Sequence, residues 1–229
     1  MDGADKQRAN GNKVLKAQTD YKHLFFYQKS DVLYQMTFCF CDKFLPPYGD
    51  RTRDQMIQAA RCGKQNIVEG LSDGVTSTEM MLKLLNVGRS SLQELLEDYL
   101  DYAKAHGLII WDSSHPRYNS MLAFCRKHNA LSDYQPFFSK WNAEEFCNIA
   151  ISLCHITDKM LTTYLKKEEQ SFVTEGGIKE RMYKARTNYR RDQDIEYERL
   201  RREVPVLKAE IARLKKLLQS HGINCEEGS

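Results

Sequence analysis

The sequence contains few of the residues that interrupt helices. It has 5 prolines and 12 glycines among 229 residues, and most of them fall between the apolar segments. No segment shows a convincing alternation of apolar and polar residues, which would indicate a β-strand. The composition excludes collagen-like, low-complexity and fully disordered chains, and its 41% of hydrophobic residues is enough for a buried core.

The chain also lacks an apolar run long enough to cross a bilayer. Its most apolar stretch, residues 24–45, is interrupted by Lys29, Asp31, Asp42 and Lys43. The first twenty residues are polar and contain no apolar segment typical of a signal peptide. Seven cysteines, an odd number, are scattered through apolar stretches, as is typical of reduced thiols in the cytosol. We therefore expect a cytoplasmic protein with no membrane partner.

Motifs of common enzyme and metal chemistry are missing as well. The sequence has no G-x-S-x-G, P-loop or G-x-G-x-x-G motif, and no C-x-x-C or H-x-x-x-H spacing. The thiols of Cys39 and Cys41 would point about 200° apart on a helix. Glu94, Glu97 and Asp101 share a helix face but lack the Glu-x-x-His elements of a di-iron bundle. The sequence predicts no enzyme activity, no catalytic residue, no metal and no cofactor.

The small net charge of +3 is unevenly distributed along the chain. Residues 1–175 carry 21 basic and 22 acidic side chains, whereas residues 176–191 carry six basic side chains and one acidic side chain. Such a local excess of cations is where an anionic partner would bind, and interleaved tyrosines such as Tyr189 could stack on bases. The candidate nucleic-acid-binding residues are Lys179, Arg181, Tyr183, Lys184, Arg186, Arg190 and Arg191.

A solvated helix is the alternative for this basic segment. Acidic residues follow it at once, from Asp192 to Glu198, and they would repel phosphate. The cations would then pair with carboxylates of the chain itself.

Apolar residues recur at helical spacing in four long segments. The predicted helices are residues 21–44, 50–71, 76–105 and 142–167. Between the last two lies a less regular insert, residues 106–140, with a short helix at about residues 116–128. The expected fold is all-α, an antiparallel up-down four-helix bundle with a C-terminal helical, coiled-coil extension.

This fold divides the chain into three predicted regions. Residues 1–20 are rich in polar residues and are expected to be flexible. Residues 21–170 form the bundle, and residues 178–220 form the tail, which is first basic and then heptad-patterned.

The heptad pattern of the tail predicts that it pairs with another helix. Apolar residues follow the a and d spacing of a coiled coil from Tyr197 onward. Pro205 lies inside this run, where it either kinks the helix or begins a second one. The predicted seam consists of Leu200, Val204, Leu207, Ile211, Leu214 and Leu218.

Three stretches of the bundle region together resemble a known family. They are residues 29–34 (KSDVLY), 54–70 (DQMIQAARCGKQNIVEG) and 89–95 (RSSLQEL). Their order resembles the bacterial four-helix-bundle family, also called the intervening-sequence proteins of large-subunit ribosomal RNA. The match covers about residues 21–168, and residues 66–70 are its most specific element. With its basic and heptad tail, the chain resembles the "four helix bundle suffix" subgroup.

The resemblance implies an all-α bundle that forms a homo-oligomer, often a pentamer, and has no enzyme activity. A distantly similar branch, the accessory protein of diversity-generating retroelements, binds a reverse transcriptase and nucleic acid through a strongly basic barrel. The bundle region here has a net charge of −1 and departs from that pattern. The family-motif residues, for which we expect mainly structural roles beside the alternative of a ligand or subunit contact, are Gln55, Ala60, Asn66, Glu69, Gly70, Ser91 and Glu94.

The sequence therefore predicts a non-catalytic assembly protein built as a homo-oligomeric helical bundle. The tail would serve as a coiled coil or as a docking element for a protein partner. The alternative is a nucleic-acid-associated accessory protein that binds RNA or DNA through residues 179–191.

Overall fold

A computed structural model describes Leu15 and residues 20–74 and 76–221 of the chain. These residues form helices and no strand, which confirms the predicted all-α fold. The predicted flexibility of residues 1–20 concerns mainly residues 1–14 and 16–19, which lie outside the described residues. The α-helices of the described part are α1 (Phe25–Phe44), α2 (Thr52–Asp73), α3 (Thr78–Ala105), α4 (Tyr118–Lys127), α5 (Leu131–Tyr134), α6 (Ala143–Glu175) and α7 (Ile178–Ser220).

The chain divides into two compact units. The first, Leu15–Ile178, contains α1 to α6, and the second contains α7 from Lys179 onward.

Four helices of the first unit, α1, α2, α3 and α6, form an antiparallel four-helix bundle in which each helix packs against two neighbours. Ring contacts at the two ends of the bundle give the relative direction of α1 and α6. The start of α1 lies beside the end of α6, where the rings of Phe26 and Tyr164 are 5.1 Å apart. The end of α1 lies beside the start of α6, where the rings of Phe40 and Phe146 are 5.9 Å apart. The two helices α1 and α6 therefore run antiparallel, in agreement with the predicted up-down order.

Two glycines bring the backbones of α2 and α3 into close contact. Gly63 and Gly88 face each other across this interface, and both lie inside their helices. A Cβ atom on Gly88 would lie 3.0 Å from the carbonyl oxygen of Gly63, and one on Gly63 would lie 2.6 Å from Cδ2 of Leu92. Glycine weakens a helix by about 1 kcal/mol relative to alanine. At these two positions the close approach of the helices explains why glycine is present despite this cost.

Aromatic rings fill one end of the bundle core. The ring of Phe40 lies within 5.0 Å of Tyr99 and 4.9 Å of Tyr102, and all three side chains are buried. The hydroxyl of Tyr99 donates a hydrogen bond to Oγ1 of Thr37 at 3.0 Å. This bond satisfies a polar atom that has no access to water.

Polar anchors attach the insert between α3 and α6 to the bundle. The amide of buried Asn148 donates to the carbonyl of Ile109 at 2.8 Å and accepts from the backbone N–H of Trp111 at 2.7 Å. Glu144, one turn earlier on α6, accepts from the indole N–H of Trp111 at 2.8 Å. These bonds hold the extended segment after α3 along the first turns of α6.

A buried lysine on α1 holds the other end of the insert. Lys29 has no exposed surface, and its Nζ donates to the carbonyl oxygens of Cys125 and His128. Burial lowers the pKa of Lys29, and Cys125 and Asp133 partly offset this shift. The ammonium group thus satisfies two carbonyls at the C-terminal end of α4, where a helix has no backbone donors left.

Helix ends differ from the predicted bounds where local capping decides them. The third helix begins after Ser77, whose side chain accepts from the N–H of Met80 at 3.1 Å. The last bundle helix, α6, ends at Glu175, whereas the sequence predicted an end at about residue 167. Its last turns are polar but remain helical, and the helix stops where Gly176 adopts a φ of 79°. The insert contains the predicted short helix as α4 and, in addition, α5 and a 3₁₀ turn at Gln135–Phe137. The tail helix is continuous through Pro205.

We expect Gly88→Ala to destabilise the protein although alanine is the better helix former. The added methyl would meet a backbone carbonyl, which cannot move aside as a side chain can. Overpacking costs about 1–3 kcal/mol, and the gain in helix propensity is about 1 kcal/mol. Urea unfolding should therefore show a net loss of about 1 kcal/mol. Ser90→Ala, at an exposed position of the same helix, is the control, and a Gly88→Ala variant as stable as this control would contradict the packing argument.

Candidate interaction surfaces

The basic segment forms the first turns of α7. Lys179, Tyr183, Arg186 and Arg190 are exposed and lie within an arc of about 60° at 100° per residue. The exposed side chains of Lys184 and Arg191 widen this arc on one side. We call the six residues the cationic arc.

Arg181, the seventh residue of the predicted basic surface, and the neighbouring Tyr189 lie elsewhere on the helix. Arg181 is partly buried and projects about 140° or more from the centre of the cationic arc. Tyr189 lies beside the arc, and its hydroxyl accepts a hydrogen bond from Gln193 at 2.8 Å. Tyr183, which is 72% exposed, is therefore the better-placed ring for stacking on a base.

Acidic residues limit the cationic arc at its C-terminal end. Asp194 falls on the same side of the helix one turn after Arg190. Arg191 has its Nε 3.8 Å from Oδ1 of Asp192. An anionic ligand would therefore be held on residues 179–191 and repelled from the next turn.

The heptad seam lies on the second half of α7 and is open to solvent. Its six residues are between 36% exposed, at Leu218, and 59% exposed, at Leu207. Tyr197 extends the stripe by one position at its start and is also exposed. Pro205 directly follows Val204 and lies outside the seam. The seam is therefore a continuous row of apolar side chains that no described part of the chain buries.

Four of the family-motif residues have structural contacts within α2 and with α3. Asn66 donates from Nδ2 to the carbonyl of Cys62 at 2.9 Å, and Glu69 accepts from Gln65 at 3.3 Å. Ala60 is fully buried in the core. Gly70 lies against α3, where an added Cβ would be 3.2 Å from Leu85.

The other three motif residues meet in one polar groove between α2 and α3. Gln55, Ser91 and Glu94 line this groove, which has a volume of about 680 Å³. Asp98 lies at the same site, and its pKa is raised by burial and by the nearby Glu94 and Asp101 carboxylates. The side chains come from helices that are separated in sequence, so the motif alone could not group them.

A second groove, which no motif indicates, lies between the start of α1, α4 and the outer face of α6. It has a volume of about 860 Å³ and an apolar floor that includes Phe25, Leu122 and Ile156. Lys159 and Arg126 add positive charge to its lining. The groove thus offers apolar contact area together with cations. Its residues come from three elements, and their periodicity in the sequence is that of ordinary amphipathic helices.

The cysteines are placed for packing. Burial raises the pKa of Cys41, Cys125 and Cys147 to about 12, and it also raises the pKa of Cys154. These thiols are therefore protonated and poor nucleophiles at neutral pH. Cys225 lies outside the described residues.

No group of three or more His, Cys, Asp and Glu side chains in the described part of the chain could hold a metal ion. In the same part, every helix is too short or too polar to cross a bilayer.

Comparisons of the chain with protein-family models, with curated proteins and with solved structures find no match.

We expect Asp98→Asn to stabilise the protein at neutral pH. Folding raises the pKa of this carboxyl above its value of about 4 in an unfolded chain. Ionising the carboxyl therefore destabilises the folded protein, and this cost appears as the pH rises above about 4. At pH 7 the gain should be about 0.5 kcal/mol, a small value because water screens the half-buried carboxylate. Thermal unfolding from about pH 7 down to about pH 4 should show this gain shrinking.

Glu97→Gln is the matched control, because Glu97 is exposed on the same helix. A gain from Asp98→Asn that is equal at both ends of the pH range would contradict the assigned cause.

Proposed function

We propose that this protein is a non-catalytic, cytoplasmic assembly protein that associates with copies of itself. The observation that supports the proposal is the heptad seam, which lies open to solvent on a continuous helix of 43 residues. Soluble proteins seldom leave a long contiguous apolar stripe exposed unless a partner covers it. A second helix with the same period covers such a stripe by packing its side chains into the spaces between them.

The bundle supports an assembly role in a different way. Its core is closed and its buried thiols are protonated, which fits a scaffold whose outer faces are available for contacts. A pentamer, which the family resemblance implies, would have to form through the outer faces of the bundle. The molar mass of the full-length protein in solution distinguishes a pentamer of this kind from a dimer that is joined through its tails.

We expect Leu207→Glu together with Leu214→Glu to lower the molar mass of the full chain measured by light scattering. Two carboxylates in the seam would have to be buried unpaired in a coiled coil, which is strongly unfavourable. The association constant should fall by about 100-fold or more.

Ala209→Glu together with Ala212→Glu is the control, because it adds the same charge on the outer side of the same helix. The control should leave the mass unchanged. A monomeric wild-type chain would overturn the proposal, and an oligomer that both double variants leave intact would move the contact from the seam to the outer faces of the bundle.

A second candidate function is the binding of RNA or DNA through the cationic arc. It is favoured by the exposure of these cations on one side of α7 and by the exposed ring of Tyr183 among them. Phosphate contacts of this kind make affinity fall steeply with salt. The acidic turn that follows, with Asp194 on the same side, limits the contact to a short stretch of the helix.

We expect Arg186→Glu together with Arg190→Glu to weaken binding to a labelled single-stranded RNA. The slope of log affinity against log salt should become smaller in magnitude by about 1.4, because each lost phosphate contact on a single strand contributes about 0.7. Arg202→Glu together with Lys216→Glu reverses the same number of charges on the outer side of the tail and serves as the control. Equal affinities for both double variants at every salt concentration would exclude the cationic arc as the binding site.

A further inference from the structure

Charges of opposite sign flank the heptad seam on its two sides. The residue before each a position is Glu196, Glu203 or Glu210, where a denotes Tyr197, Val204 and Ile211. The residue after each d position is Arg201, Lys208 or Lys215, where d denotes Leu200, Leu207 and Leu214. In heptad terms these three g positions are acidic and these three e positions are basic, whereas the fourth a position, Leu218, is preceded by Leu217. All six side chains are exposed beside the seam.

This arrangement discriminates between the two directions in which a second helix can lie. In a parallel, in-register pair, each g residue faces the e residue that comes five positions later on the partner helix. Glu203 would thus face Lys208, and Glu210 would face Lys215. In an antiparallel pair, g faces g and e faces e, so carboxylates would meet carboxylates and ammonium groups would meet ammonium groups.

The apolar residues of the seam add information on the number of helices. Val204 and Ile211 are β-branched and occupy a positions, and leucines occupy the three d positions between residues 200 and 214. β-Branched residues at a with leucine at d favour two strands over three or four. Pro205 takes the b position, so its ring does not lie between paired helices.

The contacts that the flanking glutamates make within α7 are compatible with such pairing. Glu203 accepts from Nε of Arg199 at 2.8 Å, and Glu210 lies 3.8 Å from Arg213. Both arginines occupy c positions, on the outer side of their glutamates. Each carboxylate has two oxygens and several acceptor sites, so it can hold its own arginine and a lysine of a partner together.

From these observations we infer that the partner of the seam is α7 of a second copy, lying parallel and in register as a two-stranded coiled coil. The inference rests on the proposed self-association of the tail and adds its direction, register and number of strands. The charge pattern supports a second copy because the chain carries both halves of the complementary set.

The test is a set of charge exchanges in the full chain, with the dimer Kd measured by sedimentation equilibrium. The first variant is Glu203→Lys with Glu210→Lys, the second is Lys208→Glu with Lys215→Glu, and the third combines all four changes. In a parallel pair, the first and second variants replace attraction with repulsion across the interface. Each should raise Kd by about 30-fold, and the combined variant should return close to the wild-type value.

The outcomes are distinct. In an antiparallel pair, each exchange leaves like charges facing like charges, so four equal Kd values would overturn the inference while leaving self-association intact. A limiting species of three or more chains joined through the seam would overturn it as well. A wild-type chain that is monomeric at all concentrations would overturn the proposed function together with this inference.

A cross-linking measurement checks the direction without relying on affinity. In a Cys225→Ser background, Leu218→Cys places a thiol at the last a position of the seam. A parallel in-register pair brings two such thiols together, so mild oxidation should give a covalent dimer. Lys216→Cys, on the outer side of the helix, should not cross-link. Failure of Leu218→Cys to cross-link in an associated sample would overturn the parallel arrangement.

Discussion

The contact between the backbones of α2 and α3 is the constraint on which the bundle depends. With glycine at positions 63 and 88, the two helices approach so closely that a Cβ atom on Gly88 would lie 3.0 Å from the carbonyl oxygen of Gly63. This pair is the most extensive helix contact of the first unit, and it sets the position of Leu92, Ile67 and their neighbours in the core. The polar groove with Gln55 and Ser91 lies along the same interface. A change that separates α2 from α3 would therefore alter the core and the groove together.

The insert is attached by a different physical device. It adds Trp111, Met121 and Tyr134 to the core, and hydrogen bonds that Lys29 and Asn148 make with backbone groups fix its course along the bundle. Lys29 illustrates how a charge can be buried without a contacting carboxylate. Two carbonyls at the end of α4 supply the negative ends of dipoles, which is favourable at a helix C-terminus. The bundle and its insert thus combine an apolar core with a small number of polar attachments.

Periodicity and capping predicted most of the fold, because long amphipathic helices with glycine or proline breaks leave strong local signals. The end of α6 was predicted too early, because residues after Leu165 no longer pack in the core and so lack the apolar periodicity of the rest of the helix. They stay helical because no glycine or proline interrupts them before Gly176. The anchoring role of Lys29 has no local signal at all. It depends on carbonyls about a hundred residues away in sequence, as does the meeting of Gln55 with Glu94 across two helices.

The direction of pairing in the tail also bears on the cationic arc. In a parallel pair, the two copies of the arc emerge from the same end of the coiled coil, so the local positive charge doubles. Arg186 and Arg190 occupy the d and a positions that continue the seam upstream, and their guanidinium groups would repel each other across the pair. In such a pair the apolar contact would begin at Tyr197, and the two arcs would lie upstream of it with like charges facing each other. An anion held between them would relieve the repulsion, so self-association and anion binding would each strengthen the other.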